Sequence, residues 1–128
     1  MNKGVLITAA LLGALSVALG AFAAHGLKEK IDSQSLTVFE TGIRYMFYHV
    51  FALLAVGILS QFIGSNFLVW SGWLFIAGII LFSGSLIALT FVLANNLAGL
   101  RWIGAITPLG GLCFLGGWLL LAVAIIKS

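Results

Sequence analysis

Glu40 and Arg44 stand four residues apart with the acid first, the favourable order for an ion pair on a helix. Arg44 and Tyr48 repeat that spacing, and so do Tyr45 and His49. His49 follows Arg44 by five residues and lies about 8 Å deeper along a helix rising 1.5 Å per residue. An ionisable side chain at that depth in an apolar run faces the protein interior or a water cavity, which makes it a functional candidate by default. Two chemistries compete for this group. In one, Glu40, Arg44, Tyr48 and His49 form a satisfied network that locks their helix to its neighbours. In the other, they join His25, Tyr45, Asn95, Asn96 and Arg101 as a site for a small ligand, a lipid headgroup or a partner helix. A third chemistry takes His25 and His49, on different helices, as ligands of haem or a transition metal. A pair of histidines alone does not make such a site, so neither metal nor cofactor is expected. There is no nucleophile–base–acid set, no phosphate-binding glycine loop and no pair of intramembrane carboxylates. A non-enzymatic role with no catalytic residue is therefore expected.

The elements that must position these residues are set by composition. Of 128 residues, 62% are hydrophobic and 7% charged. A water-soluble domain of this size lacks the interior to hide that much apolar surface. A bilayer core about 30 Å thick is crossed by about 20 apolar helical residues. Four runs meet this length: 4–24, 43–63, 68–93 and 103–126. The expected fold is all-α, an integral membrane four-helix bundle forming one domain, with the lipid bilayer as its principal partner. The net charge of +3 is scattered over loop ends and termini, so no nucleic acid is expected. Cys113, the single cysteine, reads as a small packing residue. Lys3, the apolar run and Ala21-Phe22-Ala23 imitate a cleavable signal. The run is long for that and dense in small residues, so a retained first helix is expected.

Each segment carries its own expectation. Ala10, Ala14 and Ala18 form one row of small residues, and Ser16, Gly20 and Ala24 another. Such rows permit close backbone approach in lipid, which points to the first helix as the most enclosed. Gly26 is a candidate left-handed C-cap. Lys28, Glu29, Lys30 and Asp32 make a water-exposed loop. Thr37 and Glu40 fit a capping box, and a start at Asp32 or Ser33 fits equally. From there a helix runs unbroken into the second span, with Leu36, Phe39, Ile43, Met46, Phe47 and Val50 on one face. The part before Ile43 is a short amphipathic extension suited to the interface. Gly42 is a site for a bend. Gly64-Ser65-Asn66 reads as a tight turn, and Trp70 and Trp73 mark the interfacial start of the third helix. Pro108, one or two turns into the fourth helix, would remove a helical hydrogen bond. Gly110-Gly111 and Gly116-Gly117 read as close-packing sites.

The crossings put the first and third connections on one side. Lys28, Lys30, Arg44 and Arg101 gather there, against Lys3 and Lys127 on the other. The positive-inside rule then places both connections in the cytoplasm and both termini outside. The unusual polar residues fall on that same side, which leaves the opposite half serines, Gln61 and Asn66 besides its lysines.

Four segments resemble a family of small bacterial membrane proteins, uncharacterised protein family 0382 or domain of unknown function 423, whose eukaryotic relatives are called transmembrane protein 256. They are Gly20-Ala21-Phe22-Ala23-Ala24-His25-Gly26-Leu27; Phe39-Glu40-Thr41 through Tyr45 to Tyr48-His49; Leu81-Phe82-Ser83-Gly84-Ser85-Leu86; and Ile106-Thr107-Pro108-Leu109-Gly110-Gly111 to Gly117-Trp118. Ala23 stands where the family pattern has glycine, and Met46 where a glutamine is common. The resemblance implies a four-helix protein of the bacterial plasma membrane and brings no activity with it. The favoured reading is a non-enzymatic bundle whose one-sided polar cluster binds a ligand or a partner helix. The alternative is a small transporter or channel subunit, with Arg44 and His49 lining a half-pore; this requires a homo-oligomer or a membrane partner.

Overall fold

The computed structural model describes residues 3–128. Among these residues, four helices are long and apolar enough to cross a membrane: α1 (Lys3–Leu27), α2 (Ser33–Leu59), α3 (Asn66–Ala94) and α4 (Ala98–Ile126). No strand occurs among the described residues. Each helix packs on its chain neighbour, α1 on α2, α2 on α3 and α3 on α4, and no comparable interface joins α1 to α4. The result is a bundle with α2 and α3 at its centre and α1 and α4 on its flanks. Lys127 lies 5.3 Å over the Phe67 ring, so the end of α4 meets the start of α3 at one membrane face.

α2 is the enclosed helix. Half of its apolar window is buried, against 11% for α1. This reverses the expectation drawn from the small residues of α1. Ala9 and Ser16 are buried, and a Cβ on Gly13 would touch Val50, so these small residues let α1 approach α2 closely. Ala10, Ala14 and Ala18 are exposed. A small side chain permits close approach to one neighbour; it does not require neighbours on every side.

α2 starts at the earlier of its two candidate caps. The Asp32 carboxylate accepts hydrogen bonds from the Ser35 amide (3.3 Å) and hydroxyl (2.6 Å), which satisfies one of the orphan donors of a helix start. The helix then runs unbroken to Leu59, burying Phe39, Ile43, Met46 and Val50. Gly26 is no left-handed cap: it lies inside a π-helical turn, Ala23–Leu27, that ends α1. The left-handed residue is Asn96 (φ 55°), in the turn between α3 and α4.

α3 contains a second π turn, Ile79–Ser83. On its α2 side, the Ser83 hydroxyl donates to the Gly42 carbonyl (2.6 Å). On its α4 side, the Ser71 hydroxyl donates to the Gly117 carbonyl (2.7 Å), and Ser85 and Thr107 share a hydroxyl–hydroxyl bond of 2.6 Å. Gly42 is therefore a contact point in a continuous helix. The glycines of α4 act where α3 comes closest: a Cβ on Gly110 would collide with the Phe82 backbone, and one on Gly117 would stand 2.7 Å from the Phe75 ring.

Pro108 falls in the first turn of the α-helical part of α4, Thr107–Ile126, after a 3-10 segment, Ala98–Ala105. There its missing N–H removes no bond that an ordinary residue would make, contrary to expectation. It marks the change from one helix type to the other.

Two outcomes follow. Gly110→Ala forces backbone apart and lowers stability by about 1–3 kcal/mol, while Gly84→Ala, which meets open space, does not; thermal unfolding in mild detergent checks both. The Ser35 hydroxyl, before all else, holds the Asp32 carboxyl below the usual carboxylate range. The charged cap therefore stabilises α2 above the ordinary carboxyl pKa and is lost as pH falls through the lowered one. Amide-exchange protection over 33–36 is expected to be reduced in Asp32→Ala at neutral pH, and the wild-type chain is expected to converge on that variant in acid.

Candidate functional site

Among the described residues, His49 is the charged-type side chain buried in the bundle interior, 4% exposed. It lies ten residues from the end of α2, about 15 Å along the helix and so near the middle of a core about 30 Å thick. Its Nε2 accepts a hydrogen bond from the Trp118 indole N–H (3.1 Å). An indole nitrogen only donates, so Nε2 carries no proton and Nδ1 does. Nδ1 in turn donates to the Tyr45 carbonyl, 2.6 Å away. The imidazole is thus held as one neutral tautomer with both nitrogens engaged. Its face stacks on Phe114, with centroids 3.5 Å apart and planes 6° from parallel. Phe75 touches it from α3 at 5.6 Å.

These rings form the wall of a groove of about 620 Å³ between α2 and α4. Tyr45, Tyr48 and His49 line it from α2; Pro108, Gly111, Phe114 and Trp118 from α4; Phe82 of α3 reaches in beside them. Tyr45 bridges the parts, with its ring 4.9 Å from Phe82 and 5.5 Å from Tyr48. Leu112 and Leu115 on the rim are exposed, so the groove opens sideways, toward lipid rather than water. The Tyr45 and Tyr48 hydroxyls make no hydrogen bond to the described residues. A pre-formed, mostly apolar cavity of this size with a few fixed polar groups is the usual form of a small-molecule site.

The structure gathers three of the nine nominated residues, Tyr45, Tyr48 and His49, into this groove. Glu40 and Arg44 are exposed, and no ion pair joins them despite their spacing. The network expected to run from Glu40 to His49 is therefore replaced by a short one from Tyr45 through His49 to Trp118. His25 is exposed in the π turn that ends α1, away from the buried His49. Asn95 turns its side-chain amide onto the Phe91 carbonyl (2.8 Å), and Asn96 serves the turn. Arg101 is exposed on the 3-10 segment. No group of three His, Cys, Asp or Glu side chains fit to hold a metal occurs among the described residues. Sequence reasoning missed Trp118, Phe114 and Phe82. Trp118 had a signal: an indole N–H deep inside an apolar helix needs an acceptor, and His49 is a side-chain acceptor at that depth.

A second cavity, of about 390 Å³, lies toward the opposite membrane face between α1, α2 and α3. It shares no lining residue with the groove and has no ionisable side chain.

The family model described as "Protein of unknown function (DUF423)" matches residues 19–111. A UPF0382 membrane protein of Staphylococcus haemolyticus is 41% identical over 98% of this chain and 97% of its own. One from Bacillus subtilis is 41% identical over 98% of both chains. One from Haemophilus influenzae is 45% identical over all of this chain and 98% of its own. No solved structure matches.

The site geometry separates two substitutions. Trp118→Phe strands the His49 Nε2 and is expected to cost about 1 kcal/mol in detergent stability and to shift the imidazole ¹⁵N resonances. Arg44→Ala breaks no pairing within the chain and is expected to stay within about 0.5 kcal/mol of wild type. A large loss for Arg44→Ala would restore the network reading.

Proposed function

The chain belongs to the DUF423 family of membrane proteins, and on that premise we propose that it is a non-catalytic binding protein for an amphipathic molecule of the bilayer, admitted sideways into the groove between α2 and α4. The observation that carries this reading is the groove itself: about 620 Å³, walled by rings, with one fixed neutral imidazole. Ring faces suit an apolar chain or flat group. The free Tyr45 and Tyr48 hydroxyls supply hydrogen bonds at the mouth. A His49 that spends both nitrogens on the protein has none left for ligation or proton transfer, so its part is to hold the wall in shape. The protein is multi-pass; we place it in the plasma membrane, with the loops before α2 and α4 in the cytoplasm and both termini outside, on the distribution of basic residues. A conduit draws less support, because the cavity toward the other face is separate and lacks ionisable groups.

Filling the groove tests this. A Cβ on Gly111 comes no nearer than 4.0 Å to Phe82, so Gly111→Leu adds bulk inside the groove without a backbone clash. Gly84→Leu, on open surface, is the control. Native mass spectrometry from mild detergent is expected to show a retained membrane molecule on wild type and on Gly84→Leu, and none on Gly111→Leu at equal thermal stability. Equal retention by all three would exclude the groove as the site.

A further inference from the structure

We propose that the molecule held in the groove is an anionic phospholipid of one leaflet, its phosphate on Arg44 and one acyl chain laid along Phe82, Phe114 and Trp118. This deepens the reading of the groove as a binding site and rests on it.

Length is the first support. From Pro108 to Trp118 the groove follows α4 for ten residues, about 15 Å at 1.5 Å per residue. That is half of a hydrocarbon core about 30 Å thick. Trp118 stands nine residues, about 14 Å, from Lys127, so the Trp118 end of the groove lies near the bilayer midplane. The groove therefore has the span of one leaflet's acyl chains.

Charge is the second. Arg44 lies about 8 Å above His49 on α2, inside the apolar zone, where an unpaired cation is costly unless it snorkels or finds an anion. No carboxylate of the described chain pairs with it. Arg44 precedes the groove-lining Tyr45 by one residue and Tyr48 by one turn. At 100° per residue, Glu40 lies about 40° further round the helix from Tyr48 than Arg44 does, so it does not stand between Arg44 and the groove. Asp32 spends its carboxylate on Ser35. Lys28, Lys30 and Arg101 are exposed at the same end and are like charges to Arg44, and the exposed Glu29 stands between the two lysines in the loop before α2, so this end keeps a small positive excess. A lipid with a net negative headgroup answers this arrangement. An ammonium-bearing headgroup would bring a further cation to it.

The test is competition between lipids of identical chains, phosphatidylglycerol against phosphatidylethanolamine, added to delipidated full-length protein and read by native mass spectrometry. Wild type is expected to retain phosphatidylglycerol preferentially. Arg44→Gln is expected to lose that preference by roughly fivefold, the worth of about one basic side chain at a membrane surface. Gly111→Leu is expected to lose both lipids, and Leu115→Trp, an exposed rim position, serves if Gly111→Leu does not fold. Retention of both lipids without preference, abolished by the filled groove, would overturn the headgroup assignment and leave the binding site standing. A preference untouched by Arg44→Gln would overturn the role of Arg44. Retention untouched by groove filling would remove the proposal together with the site it rests on.

Discussion

The approach of Gly110 to the Phe82 backbone decides where everything on the α4 flank can sit. In lipid there is no apolar driving force between helices, because the acyl chains are as apolar as leucine. Association depends on close contact and on polar groups that must be satisfied between helices. At Gly110 even one extra carbon would collide with the neighbouring main chain. The approach seats α4 in a single register along α3. It sets Ser85 against Thr107 on one side of the contact and Ser71 against the Gly117 carbonyl on the other.

That register is what carries Trp118 to His49. The two side chains come from helices that share no broad interface of their own and meet only because both lean on α3. The π turn of α3 lies at the level of the Gly110 contact. It contains Ser83, bonded to the Gly42 carbonyl of α2, and Phe82, against Gly110 of α4. π turns inside α-helices frequently accompany functional sites. Here the turn presents successive residues to two different helices. The groove between α2 and α4 is the gap left when both are fastened to α3 and not to each other.

Much of this was legible in the residues. The apolar runs 4–24, 68–93 and 103–126 lie inside α1, α3 and α4, whereas the run 43–63 overshoots α2, which ends at Leu59; the helical face from Leu36 to Val50 matches a start of α2 well before its apolar run. The position of α1 was not legible. A soluble helix announces its buried side by a polar opposite face, whereas α1 is apolar all round and either side suits lipid. The π turns at Ala23–Leu27 and Ile79–Ser83 were not legible either, because they come from packing against neighbours rather than from local propensity. Of the residues that line the groove, His49 was singled out by its depth, Tyr45 by its spacing from His49 and Tyr48 by its spacing from Arg44. Trp118 was passed over as one more apolar residue. The pairing of its N–H with a particular acceptor is a tertiary fact that no spacing along one helix contains.

The missing Glu40–Arg44 pair and the present His49–Trp118 pair follow from depth. The long Arg44 side chain can carry its head up to the headgroup level, and there an i, i+4 pair with Glu40 is worth only about 0.2–0.5 kcal/mol, too little to hold two long side chains against their rotational freedom. Near the bilayer centre no water competes, and an unmet N–H or ring nitrogen costs several times as much. Polar side chains buried between helices are therefore paired: Ser71, Ser83 and His49 all have partners in other helices, His49 through the Trp118 indole. Arg44, nearer the membrane surface, and the Tyr45 and Tyr48 hydroxyls, on the exposed side of α2, have no partner among the described residues. A fixed floor with unspent polar groups at its mouth is the arrangement a binding groove needs. The floor loses little order when a guest arrives, so less of the interaction is consumed in ordering the site. The free rim keeps hydrogen-bonding capacity that the protein has not already used on itself.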